Sequence, residues 1–147
     1  MELDDFEGCW RLDRRIRHDD SAEASFEGQA VAERGPSGLV WREEGRLTLP
    51  DGRVVAAERT LLWGDAPGGV AVRFADGRPF HRIDLGAVRP RAEHLCGADL
   101  YTVSYDFAAW PRWTARWRVD GPRHAYAMET RHAPLAGPGA MGHPGPA

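Results

Sequence analysis

The sequence predicts an all-β fold, an antiparallel up-and-down β-barrel of about nine to ten strands. Three observations predict it. Apolar and polar residues alternate with period two along most of the chain, while helical periodicity is nearly absent. Short Gly-, Pro- and Asp-bearing turns separate the alternating segments. The segments run to about ten residues, which favours a closed meander over a sandwich of short strands, because closure removes long exposed edges.

The first segment, "GCWRLDRRIR", places Trp10, Leu12 and Ile16 on one face, with Arg14 as its single polar member. A turn through "HDDS" leads to a strand whose inner face carries Phe26, Gly28, Ala30 and Ala32, closed by "RGPSG". Next come "LVWREEGRLTL" and "RVVAAERTLLW", joined by "PDG". Proline and aspartate before glycine suit a type I turn followed by a left-handed glycine. That register pairs Leu49 with Arg53, Leu47 with Val55, Glu43 with Arg59 and Trp41 with Leu61. A two-residue turn would instead bury Glu43 with Glu58, two carboxylates without a counter-charge, so the bulged register is favoured.

A second hairpin, "GGVAVRF"–"ADG"–"RPFHRIDL", leaves two registers open. A two-residue turn sets His81 on the face of Val72; a bulged turn sets Phe80 and Arg82 there. In "AEHLCGADLYTVSYDF", Gly97 divides a short strand end bearing His94 and Cys96 from a long strand with Tyr101, Val103, Tyr105 and Phe107 inward. "RWTARWRV" turns Trp113, Ala115, Trp117 and Val119 inward and its arginines outward, and "HAYAMETR" completes the barrel with Tyr126 and Met128 on one side. The barrel domain is expected over residues 1–133. Residues 134–147, with four prolines and four glycines in fourteen positions, read as a disordered tail.

Composition restricts the function classes. A chain of 147 residues is long enough for one domain with its own core. All 19 basic residues are arginine, so lysine-nucleophile and Schiff-base chemistry are excluded, and the lack of asparagine excludes N-glycosylation. GC-rich bacterial coding accounts for that bias. Two cysteines and no charged-then-apolar leader point to a cytoplasmic protein. No apolar run reaches the roughly 20 residues of a membrane span. A net charge of −3 argues against a nucleic-acid partner, and strand alternation explains "WPRWTARWRV" without one.

Gly8-Cys9-Trp10 at the start of the first strand resembles the calycin group, which includes lipocalins, fatty-acid-binding proteins and nitrobindin-like haem barrels. "GRPFHRIDL", "HLCGADLY" and "WRVDGPR" further resemble a small bacterial family of uncharacterised calycin-like domains, over roughly residues 5 to 132. The resemblance implies a barrel in which Trp10 closes one end beneath an arginine, Arg118 or Arg131. It also implies haem as an alternative cofactor, with His124 or His132 as its histidine; otherwise no cofactor is expected.

The candidate ligand site comprises Trp41, Glu43, Arg59, Trp63, His81, His94, Tyr101 and Tyr105. Arg59 would anchor a carboxylate or phosphate while Glu43 holds its guanidinium; the plain alternative is a salt bridge that fixes register. Tyr101 and Tyr105 would add phenolic donors or stand at the rim. Four residues, His81, His94, Cys96 and Asp99, have donor atoms suited to zinc, although Gly97 interrupts the set. Cys96 is expected as a small buried apolar residue rather than a nucleophile. The leading expectation is therefore a small-molecule-binding barrel. The alternatives are an enzyme using His81 or His94 as acid–base with Tyr101 or Asp99, and a haem barrel. A homodimer is left open.

Overall fold

The computed structural model describes residues 1–123 and 125–136. Ten antiparallel strands follow in chain order: β1 (Gly8–His18), β2 (Glu23–Gly35), β3 (Gly38–Thr48), β4 (Val54–Ala66), β5 (Gly69–Phe74), β6 (Pro79–Asp84), β7 (Arg91–Cys96), β8 (Asp99–Asp106), β9 (Trp113–Asp120) and β10 (Ala125–Leu135). Each pairs with its chain neighbour except β6 with β7, and β1 pairs with β10. The meander is thus a nearly closed up-and-down barrel whose seam lies between β6 and β7. Across that seam Phe80 packs against His94, with ring centroids 5.3 Å apart.

The β3–β4 hairpin adopts the bulged register that the Pro-Asp-Gly turn predicts. Glu43 faces Arg59 and Trp41 faces Leu61. Leu49 N–H donates to Arg53 O at 2.8 Å, and Gly52 has φ +89, a conformation open to glycine at little cost. The second hairpin takes elements of both expected registers. Its turn repeats the first, with Phe74 N–H donating to Arg78 O and Gly77 at φ +90. A β-bulge then shifts the ladder between Val72 and Arg73, so Val72 pairs with His81 and Arg73 with Pro79. The extra residue is Phe80. Phe80 is buried and His81 half-buried, while Arg82 is exposed. A bulge of this kind bends the strand and re-aims side chains.

The barrel is closed at one end by a segment without a strand-like pattern. Leu3–Phe6 form a single 3₁₀ turn, and Phe6 is fully buried among Trp63, Phe107, Trp110 and Trp113. Trp10 donates its indole N–H to Phe6 O at 2.9 Å. The resemblance placed Arg118 or Arg131 over Trp10, but neither is there. Arg118 pairs with Asp19 and Asp120, and Arg131 with Glu129. Both sit at outward positions of their strands, so aromatic rings replace the expected arginine. Strand β10 runs through Pro134 and Leu135, which pair with Trp10 and Cys9, so these two tail residues belong to the barrel. Residues 137–147 and His124 lie outside the described residues.

Candidate functional site

Three inward positions on β1, β3 and β4 build a charged cluster inside the barrel. Inward alternation on β1 delivers Arg14, and the same alternation on β3 delivers Glu43. Between them, β2 presents Gly28 and Ala30, with the Phe26 ring lying over Gly28. Arg14 Nη2 lies 3.0 Å from Glu43 Oε1. Arg59 Nη2 on β4 lies 3.1 Å from Glu43 Oε2, which also accepts the Trp41 indole N–H at 2.9 Å. Arg14 Nε donates to Thr130 Oγ1 at 2.7 Å. Glu43 therefore does more than hold one guanidinium, as its position opposite Arg59 suggests. It divides its two oxygens between two arginines.

Exposure separates the partners. Side-chain exposure is 3% for Glu43 and 10% for Arg14 but 39% for Arg59. Burial alone would raise the Glu43 carboxyl; the guanidiniums of Arg59 and Arg14 and the Trp41 N–H overcome it and bring it down to about 2. The carboxylate is ionised at neutral pH. Two guanidiniums against one carboxylate leave the cluster with one net positive charge.

Beside the cluster lies the His81–Tyr105 pair. His81 Nε2 and Tyr105 Oη are 2.7 Å apart. Burial, followed by the charge of Arg59 and the neighbouring His94, lowers His81 to about 3, so the ring is neutral. Burial drives the Tyr105 phenol well above its usual range. With both groups neutral, one proton is shared across this contact, donated either by the phenol O–H or by Nε2–H.

These groups line a cavity of about 30 Å³ together with Trp63, Trp113, Trp117 and His132. That is room for roughly two waters. Broader depressions of about 580 and 420 Å³ lie elsewhere: one is lined by the N-terminus and the β4–β5 and β6–β7 loops, the other by residues from β1, the β8–β9 loop and β10. Neither contains the buried cluster. Four buried polar atoms have no hydrogen-bond partner among the described residues: Arg59 Nε, Trp63 Nε1, His81 Nδ1 and Trp113 Nε1. All four residues line the inner cavity.

Six of the eight sequence-derived candidates thus meet at one place: Trp41, Glu43, Arg59, Trp63, His81 and Tyr105. His94 and Tyr101 do not. They face each other on β7 and β8 at the open end, with their rings against Phe80. Phe80 stacks on Trp117 at 5.0 Å and on Phe74 at 4.4 Å, and this stack lies between the mouth and the cavity. Arg14 was visible as an inward polar residue, but its partner was not. Thr130 had no signal beyond its parity on β10, and His132 was marked only as a haem histidine implied by the resemblance.

Cys96 is exposed, contrary to its expected burial, because it ends β7 beyond the mouth. Its pairing partner is Asp99. Among the described residues, no three His, Cys, Asp or Glu side chains converge as a metal-binding group. Cys9 is half-buried, and burial followed by Glu33 raises its thiol. His132 stacks face to face on Trp113 at 3.4 Å, and its Nδ1–H donates to Trp113 O at 3.1 Å. Burial lowers it to about 3. Of the two histidines that the resemblance implies for haem, His132 is thus stacked and hydrogen-bonded, and His124 lies outside the described residues.

Comparison with known proteins places the fold. An S-type phycobiliprotein lyase from Guillardia theta superposes with a TM-score of 0.64 at 8% identity, over 92% of this chain and 93% of that one. A protein of unknown function from the DUF3598 family, from Nostoc punctiforme, superposes with a TM-score of 0.56 at 9% identity, over 92% of this chain and 49% of that one. At these identities the likeness is one of fold. No curated protein matches the sequence. No helix among the described residues is long and apolar enough to cross a membrane. Over residues 6–134 the sequence matches a family of unknown function, DUF6314, and the chain belongs to that family.

Proposed function

We propose that the barrel binds a small organic molecule whose polar end seats against Arg59 in the inner cavity, with the mouth at His94 and Tyr101 as its approach. The observation that carries this reading is the buried Arg14–Glu43–Arg59 cluster. A barrel interior needs only aliphatic packing for stability. Replacing a buried ionic cluster with well-packed apolar residues is often neutral or stabilising, so burying Arg14 and Glu43 and half-burying Arg59 here points to a task beyond packing. Glu43 positions two guanidiniums, and the more exposed of them, Arg59, is the one available to a ligand.

At the His81–Tyr105 pair, the protonation states favour binding over acid–base catalysis. His81 holds its proton too weakly and Tyr105 too strongly for exchange near neutral pH. The similarly folded phycobiliprotein lyase shows that this architecture can belong to an enzyme, but it carries no residue assignment here. Native mass spectrometry and untargeted extraction of the purified protein test the proposal. A reproducible stoichiometric small molecule, lost in Arg59→Gln, is expected. A protein that never retains or binds any small molecule would sink it. Haem titration checks the remaining alternative, with no Soret shift expected on addition of haem.

A further inference from the structure

We infer that the polar end of the ligand is a singly charged carboxylate that accepts hydrogen bonds from the N–H groups of Arg59, Trp63 and Trp113. The inference rests on the small-molecule reading above and narrows it to one chemical class.

Three properties of the cavity converge on this class. The first is the sign of the unpaired groups. Arg59 Nε, Trp63 Nε1 and Trp113 Nε1 can only donate. Three buried donors without acceptors are costly, and the indoles of Trp63 and Trp113 are each at least 95% buried. A ligand that accepts hydrogen bonds relieves that cost; an amine or guanidine would not. The second is charge. Both Glu43 oxygens are already engaged, and the cluster keeps one net positive charge that a monoanion neutralises. A phosphate dianion would leave a buried negative charge in its place. The third is size. A cavity of about 30 Å³ has room for roughly two waters, and the two oxygens of a planar carboxylate replace them.

The test is an NMR titration of the intact ¹⁵N-labelled protein, observing indole N–H signals assigned by Trp63→Phe and Trp113→Phe. Formate and acetate are the probes; methylammonium and inorganic phosphate are the controls. Saturable shifts of the Trp63 and Trp113 signals with formate and acetate are expected, with neither control competing. Affinity should fall about tenfold in Arg59→Gln, as for loss of one charge-assisted bond. If that variant does not fold, Trp63→Phe should still weaken acetate binding several-fold, read at Trp113.

Two results would overturn the inference: competition by methylammonium, or phosphate binding as tightly as acetate. If the carboxylates leave both signals unmoved but a neutral compound recovered by extraction shifts them, the carboxylate assignment fails and the binding reading stands. If no compound of any charge moves either signal, both fail.

Discussion

Arginine works differently on the two faces of this barrel. On the outside, Arg118 reaches Asp19 and Asp120, and Arg116 and Arg131 share Glu129. These pairs stand in water, where screening and side-chain entropy leave them little net effect. Inside, Arg14 and Arg59 share Glu43 in a low-dielectric space where each charge depends on its partner. The same residue type therefore marks a solvated surface in one place and a built site in the other. The distinction follows from strand parity, and substitution can test it.

The largest effect is expected at Glu43. Glu43→Gln leaves Arg14 buried without a counter-charge and should cost about 3–5 kcal/mol in urea unfolding. Arg59→Gln should cost far less, about 1 kcal/mol or below, because Arg59 is 39% exposed and Arg14 still serves Glu43. Equal losses for the two variants would contradict the asymmetry.

Acid should unfold the protein through its interior. His81 and His132 have lower pKa values in the folded state than when unfolded, so the unfolded chain binds protons first as pH falls. Their stabilising effect is complete above about pH 6.5 and declines below it, approaching ~1.4 kcal/mol per pH unit for each histidine. His81 faces Arg59 and His94; His132 lies near Glu43, Arg14 and Arg59. The depressed Glu43 carboxyl adds a further loss as pH falls from about 4.5 toward 2. Urea midpoints measured from pH 7 to pH 4 check the sign. A His132→Gln variant that folds should flatten the upper part of the curve.

Gly28→Ala tests the close approach of β2 to β3 beneath the Phe26 ring. A methyl group there would lie 2.8 Å from Gly45 Cα and from Phe26 Cζ, and would also collide with Glu44 O. A loss of about 1–3 kcal/mol is expected. Tyr105→Phe removes one neutral hydrogen bond and should cost about 1 kcal/mol. On the outer face, Arg118→Gln should barely move the unfolding midpoint, and the difference should vanish in high salt.

What the sequence revealed depended on how local its signal was. The Pro-Asp-Gly turn sets the β3–β4 register within a few residues, so Glu43 opposite Arg59 was legible. Parity alone turned Arg14, Trp63 and Tyr105 inward. The Arg14–Glu43 contact was not legible, because it spans β2 and joins strands that do not pair with each other. The Phe80 bulge was also hidden, since one extra residue leaves alternation intact on either side of it. That bulge turns both Phe80 and His81 inward and separates the cavity from His94 and Tyr101. The 3₁₀ plug at Leu3–Phe6 was too short to show a period.

The most direct test of the central claim is a high-resolution crystal structure of the protein grown without carboxylate buffers and then soaked in acetate. We predict planar density in the inner cavity, within hydrogen-bonding distance of Arg59 Nε and the indole nitrogens of Trp63 and Trp113, and its absence in Arg59→Gln. Unchanged water density at the same atoms in both proteins would contradict the account, leaving the buried charges a purely structural cluster.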